Sequence, residues 1–170
     1  IPVRDGLLAF LAEPGLRWAY ASLEFFPAIS DLVVVCDVIN YEVPTVPLLS
    51  LDVVDPASSP FLLAMDRRSP LGDVRPTLPA LVGTLNYARE VQSADPGSTT
   101  VVVLVTTGLP GFWYPLPGEY EPGCTEPLEN TLQNVAAVAA DGFADGIPTY
   151  VVGVNDASEL GPLDEVALAG

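Results

Sequence analysis

The sequence predicts an α/β fold: a three-layer open, mostly parallel sheet with helices on both faces and one antiparallel edge strand. Two observations carry this reading. Residues 101–105 and 149–154 are short, uncharged and almost wholly apolar. That is the composition of strands buried on both faces, as in a parallel sheet flanked by helices. Around them stand amphipathic segments with helical spacing, so helix and strand alternate along the chain. Ligand sites in such sheets form at the carboxyl edge of the strands, which draws attention to Thr106, Thr107 and Gly108.

The elements follow in order. Residues 3–11 put Val3, Leu7, Phe10 and Leu11 on one helical face, and Pro14-Gly15 ends that helix. Residues 16–26 are aromatic-rich with partial alternation, a strand that Pro27 stops. Residues 28–44 form an irregular connection, with the composition of a further short strand at 32–35. Pro47 is not tolerated in a central strand, so residues 45–51 read as the edge strand. Ser59 and Pro60 are an N-cap and a first-turn proline, opening a helix over 60–68. Thr77 caps the next helix, whose buried stripe is Leu78, Leu81, Leu85, Ala88 and Val91. Asp95-Pro96-Gly97 closes it, and the strand 99–106 follows. Residues 108–128, rich in proline and glycine, read as a long loop carrying Phe112, Trp113, Tyr114 and Tyr120. Leu132, Val135, Val138 and Ala139 mark another helix ending near Gly142. After the strand 149–154, residues 162–169 begin a last helix. Right-handed crossovers place the strand ends along one edge. With no repeat and no linker, residues 1–170 read as a single domain.

Composition excludes several function classes. The net charge of −16 sets 22 acids against six arginines, with no lysine and no histidine. Such a chain does not grip nucleic acid or an anionic membrane. No apolar run approaches the roughly 20 residues of a membrane span, so no membrane insertion is expected. The apolar stretch 3–11 is interrupted by Arg4 and Asp5 and does not read as a signal peptide. Two cysteines, Cys36 and Cys124, are too few for a disulfide scaffold or a histidine-free zinc site. They are two buried thiols or one bridge; their loop-like surroundings favour the bridge, which implies an oxidising compartment. Without histidine there is no general-base or thiol–imidazole constellation, and isolated glycines make no phosphate loop. No catalytic constellation therefore stands out, and the chain does not read as an enzyme. An α/β hydrolytic enzyme using acidic residues is the remaining catalytic alternative, although nothing singles out a pair.

Several segments stand in a suggestive order. They are Cys36-Asp37 with Tyr41, Pro44 and Val46-Pro47; Ser69-Pro70, Gly72 and Pro76-Thr77 before Ala80-Leu81; residues 101–110, ending Thr106-Thr107-Gly108-Leu109-Pro110; residues 147–154; and residues 163–170. In this order the chain resembles a von Willebrand factor type A domain of the secreted bacterial kind. The resemblance implies a Rossmann-like sheet and a binding or adhesion module, extracellular or on the cell surface. The module would recognise a protein or cell-surface ligand at the carboxyl edge. Thr77 then corresponds to a metal-binding threonine, and Phe112, Trp113 and Tyr114 become the ligand-binding loop.

The metal-ion-dependent adhesion site is degenerate. The family's first motif, D-x-S-x-S, is absent, and Thr107 stands where the T-D-G-x-P strand end carries aspartate. Thr77 alone survives, and one hydroxyl does not hold a hard divalent cation. No cofactor is expected in this chain. Mg²⁺ or Mn²⁺ would bind only if residues upstream of Ile1 supply the missing ligands. The resemblance also implies a truncated domain lacking the family's first and last strands. A purely structural domain with no ligand site is the second reading.

Overall fold

In a computed structural model of the chain, residues 2–30, 33–53, 59–68, 74–113, 120–121, 124 and 129–170 are described. In chain order the elements are α1 (Pro2–Leu11), β1 (Tyr20–Leu23), β2 (Ile29–Ser30), β3 (Val33–Val34), β4 (Val46–Ser50), α2 (Pro60–Asp66), β5 (Val74–Arg75), α3 (Thr77–Ala94), β6 (Val102–Thr106), β7 (Gly111–Trp113), β8 (Tyr120–Glu121), α4 (Leu132–Ala144), β9 (Thr149–Gly153), α5 (Ala157–Leu160) and α6 (Asp164–Ala169). They group into two units. One is Ile1–Glu24 with Pro44–Pro70; the other is Phe25–Val43 with Leu71–Gly170.

The first unit holds α1, β1, β4 and α2 around Leu11, Val46, Leu51 and Phe61. Strands β1 and β4 pair antiparallel, with Leu23 opposite Val46 and Tyr20 opposite Ser50. The Pro47 strand is thus antiparallel, as expected, but its partner is β1 in a two-stranded sheet. The strand expected over 16–26 is confined to Tyr20–Leu23, and a 3₁₀ turn, Pro14–Leu16, precedes it. Ser59 caps α2 as its sequence predicts, its hydroxyl accepting from the Leu62 N–H at 3.1 Å.

The second unit carries the parallel pair. β6 and β9 lie side by side in register from Val102 opposite Thr149 to Thr106 opposite Gly153. The chain is thus a mixed helix–strand protein with a small parallel sheet. One face of the pair packs on α3 and α4: Val102 joins Leu81, Leu85, Val135, Ala139, Ile147 and Val166 in one core. The other face differs from expectation. Val101, Val103, Val105, Tyr150 and Val152 are 40–59 % exposed. Burial alternates along β6, Val102, Leu104 and Thr106 in and Val103 and Val105 out. The run is uncharged, yet only one of its faces is buried among the described residues.

Two further details correct the sequence reading. Helix α4 runs two residues past Gly142, to Ala144. That glycine is interior, and a Cβ there would lie 2.7 Å from Leu85 Cδ2. The helix ends at Ala144 with Asp145 as its C-cap, and the chain turns away at Gly146, whose φ of +80° only glycine adopts easily. Its N–H donates to Phe143 O, and the Ile147 N–H donates to Gly142 O. Second, residues 108–128 are not loop throughout. β7 pairs antiparallel with both β5 and β8.

Candidate functional site

The site is built from the ends of β6 and β9 outward. β6 closes on Thr106, whose carbonyl accepts from the Val154 N–H at 2.8 Å. Its buried hydroxyl donates to Gly108 O at 2.9 Å, tightening the turn. Thr107 is exposed at the tip. Its carbonyl is held from the β9 side by Asn155 Nδ2 at 3.3 Å, and the same amide donates to Glu159 Oε2 at 2.6 Å.

A cation stands on the other side of this turn. Arg75 of β5 pairs with Gly111 of β7, and its Nε donates a long 3.5 Å bond to Thr107 Oγ1. The guanidinium lies against Gly108, where a Cβ would come within 3.0 Å of Arg75 Cζ. Thus the glycine after β6 leaves the space that the guanidinium fills. The Arg75 backbone is pinned as well, its carbonyl accepting from Asn130 Nδ2 at 2.7 Å and from Thr77 Oγ1 at 3.4 Å.

Thr77 does not cap α3. The N-cap position is Pro76, which has no side chain to offer. Asn130, 1 % exposed, does the work from 52 residues away: its Oδ1 accepts from the Leu78 N–H at 2.8 Å. Sequence spacing could not reveal this cap, because capping rules are local and Asn130 is not. Asn130 in turn hangs from the disulfide, its own N–H donating to Cys124 O at 2.9 Å. Cys36 and Cys124 are bonded, with Cα atoms 5.4 Å apart, and the bridge favoured by their loop-like surroundings is present.

The residues do not fit a divalent cation. Thr77 is 1 % exposed, and its hydroxyl donates to Arg75 O at 3.4 Å. Thr107 is neutral, and its hydroxyl faces the Arg75 guanidinium at 3.5 Å, which repels Mg²⁺ rather than ligating it. Among the described residues no group of three acidic, cysteine or histidine side chains gathers. Of the aromatic trio, Phe112 and Trp113 lie in β7, with Phe112 opposite Val74 and Trp113 opposite Tyr120. Tyr114 lies outside the described residues. The hairpin β7–β8 therefore continues the strand that carries Arg75.

Comparison with family models, with curated proteins and with solved structures returns no match. Among the described residues, no helix is long and apolar enough to cross a membrane.

Proposed function

We propose that this chain is a binding module that recognises a protein or cell-surface ligand at the carboxyl edge of β6 and β9, with a degenerate metal site, and that it acts outside the cell. The observation that carries the reading is the edge itself. An exposed Thr107, a glycine turn and a half-buried arginine are fixed there by hydrogen bonds. That is a surface for contact, without a nucleophile–base pair for chemistry. The Cys36–Cys124 bridge supports an oxidising compartment. A three-layer fold of the von Willebrand type A kind is part of this reading and requires a further layer over Val103, Val105, Tyr150 and Val152, which are 40–59 % exposed. The aromatic strand at Phe112 and Trp113 is the proposed flank of the contact surface, since aromatic side chains anchor protein partners.

The test is selection of a displayed random-peptide library on the immobilised chain, with a Thr107→Trp variant for comparison. Peptides that bind the wild type and lose at least tenfold on Thr107→Trp are the expected result. Enriched peptides that bind both equally would place recognition elsewhere and overturn the reading.

A further inference from the structure

We propose that Arg75 is a carboxylate-binding residue: an acidic side chain of the ligand takes the outward edge of its guanidinium beside Thr107, with no metal ion between them. The inference rests on the functional reading above and names the chemistry of that site. Four observations carry it.

The first is charge accounting. The chain has 22 acids for six arginines, so an arginine is easily neutralised by its own surface. In the unit that holds the parallel strands there are only two, Arg75 and Arg89. Arg89 is taken by Asp145 at 2.8 Å. No salt bridge among the described residues includes Arg75. The second is seating. Gly108 has no Cβ, and one would sit 3.0 Å from Arg75 Cζ and 3.1 Å from Nε. The guanidinium therefore rests flat on the turn that ends β6. The third is preorganisation. Asn130 and Thr77 hold the Arg75 carbonyl, pairing with Gly111 holds its strand, and Thr107 accepts from Nε. The fourth is what these contacts leave over. Nε is engaged, whereas Nη1 and Nη2 have no described partner. That pair of planar donors matches a carboxylate.

A cation already occupies the edge, and it is covalently part of the chain. A carboxylate ligand needs a positive charge and two donors, and a guanidinium supplies both without Mg²⁺. A singly charged carboxylate is favoured over a phosphate group because the approaching anion meets a surface of net charge −16.

The experiment is an amide and arginine Nε–H NMR titration of the whole chain with a blocked glutamate, N-acetylglutamate N-methylamide. Sodium chloride of equal ionic strength is the blank, with and without EDTA. A single half-exposed ion pair is weak, so saturation is expected near ~100 mM. The expected shifts are at Thr107, Gly108 and the Arg75 Nε–H, unchanged by EDTA. Arg75→Gln should abolish them. Gly108→Ala, which pushes the guanidinium off the turn, should weaken binding at least threefold and serves if the first variant misfolds. No shift beyond the chloride blank, shifts that persist in Arg75→Gln, or shifts that need added Mg²⁺ would each overturn the proposal. A parallel arm uses inorganic phosphate; tighter saturation there would overturn the carboxylate assignment in favour of a general anion site. If the selected peptides depend on Thr107 while the blocked glutamate has no effect, only this inference fails and the edge remains the binding surface.

Discussion

Asn130 is a side chain with four hydrogen-bonding valences and almost no contact with water. It accepts from Leu78 N–H, donates to Arg75 O, and is itself positioned by Cys124 O. It closes the start of α3, which Pro76 leaves bare, and fixes the backbone of the residue that carries the edge's cation. Removing it strands the buried Leu78 N–H and leaves the Arg75 carbonyl with only the long 3.4 Å bond from Thr77 Oγ1. Each unsatisfied buried group costs about 1–3 kcal/mol, so Asn130→Ala is expected to lower unfolding free energy by about 3 kcal/mol. Urea denaturation checks this; a loss under about 1 kcal/mol would show that water or a neighbour takes over both bonds. Nothing in the sequence pointed to Asn130. It sits one residue before Thr131, which does cap α4 by accepting from Asn134 N–H at 3.3 Å. A local reading therefore assigns the capping signal there to Thr131 and stops.

Helix α3 shows at the element scale how sequence rules succeed and fail. Its apolar stripe was legible for most of its length: Leu78, Leu81, Leu85 and Ala88 are buried, as their spacing predicts, and Val91 at the far end is half-buried. The glycine beside that stripe was not. Gly83 lies under the 3₁₀ turn Val38–Tyr41, and a Cβ there would come within 2.6 Å of Tyr41 Cβ, 2.7 Å of Tyr41 C and 2.8 Å of Val38 O. Two of those atoms are backbone and cannot swing aside. Gly83→Ala gains about 1 kcal/mol of helix propensity and is opposed by overpacking of about 1–3 kcal/mol or more. Contact with backbone puts the balance on the destabilising side. A lower thermal midpoint with unchanged far-ultraviolet circular dichroism is expected, and a raised midpoint would sink the argument. The strands divide in the same way. β6 and β9 were legible because uncharged apolar runs have few other uses. The hairpin of β7 and β8 was hidden by prolines and glycines, which mark turns without saying what lies between them.

For the whole molecule, the sequence carried the parallel pairing but not its covering. Uncharged composition implies two buried faces only when elements exist for both, and residue type alone does not count them. Hence Val103 and Val105 are as apolar as Val102 and Leu104, yet they lie on the open face. The disulfide acts at this scale too. The unit that holds the site is assembled from two stretches, Phe25–Val43 and Leu71–Gly170, with Pro44–Pro70 belonging to the other unit. Three links tie the short stretch to the long one. Tyr41 packs on Gly83, Glu42 Oε1 accepts from Asn86 Nδ2 at 2.8 Å, and Cys36 is bonded to Cys124. The first two are non-covalent and vanish on unfolding. The bridge persists and closes a loop of sequence separation 88, which in the chain-entropy description destabilises the unfolded state by about 4–5 kcal/mol. Observed losses commonly run lower, so reduction, or a Cys36→Ser/Cys124→Ser pair, is expected to cost about 2–5 kcal/mol. The loss should also be uneven. Amides of residues 35–43 should lose hydrogen-exchange protection before those of α3 and α4, whose core of Leu85, Val135 and Ala139 does not involve either cysteine. Exchange measured with and without reductant reads this directly. Equal loss across α3, α4 and residues 35–43 would mean that the bridge supports the whole unit rather than fastening one stretch to it.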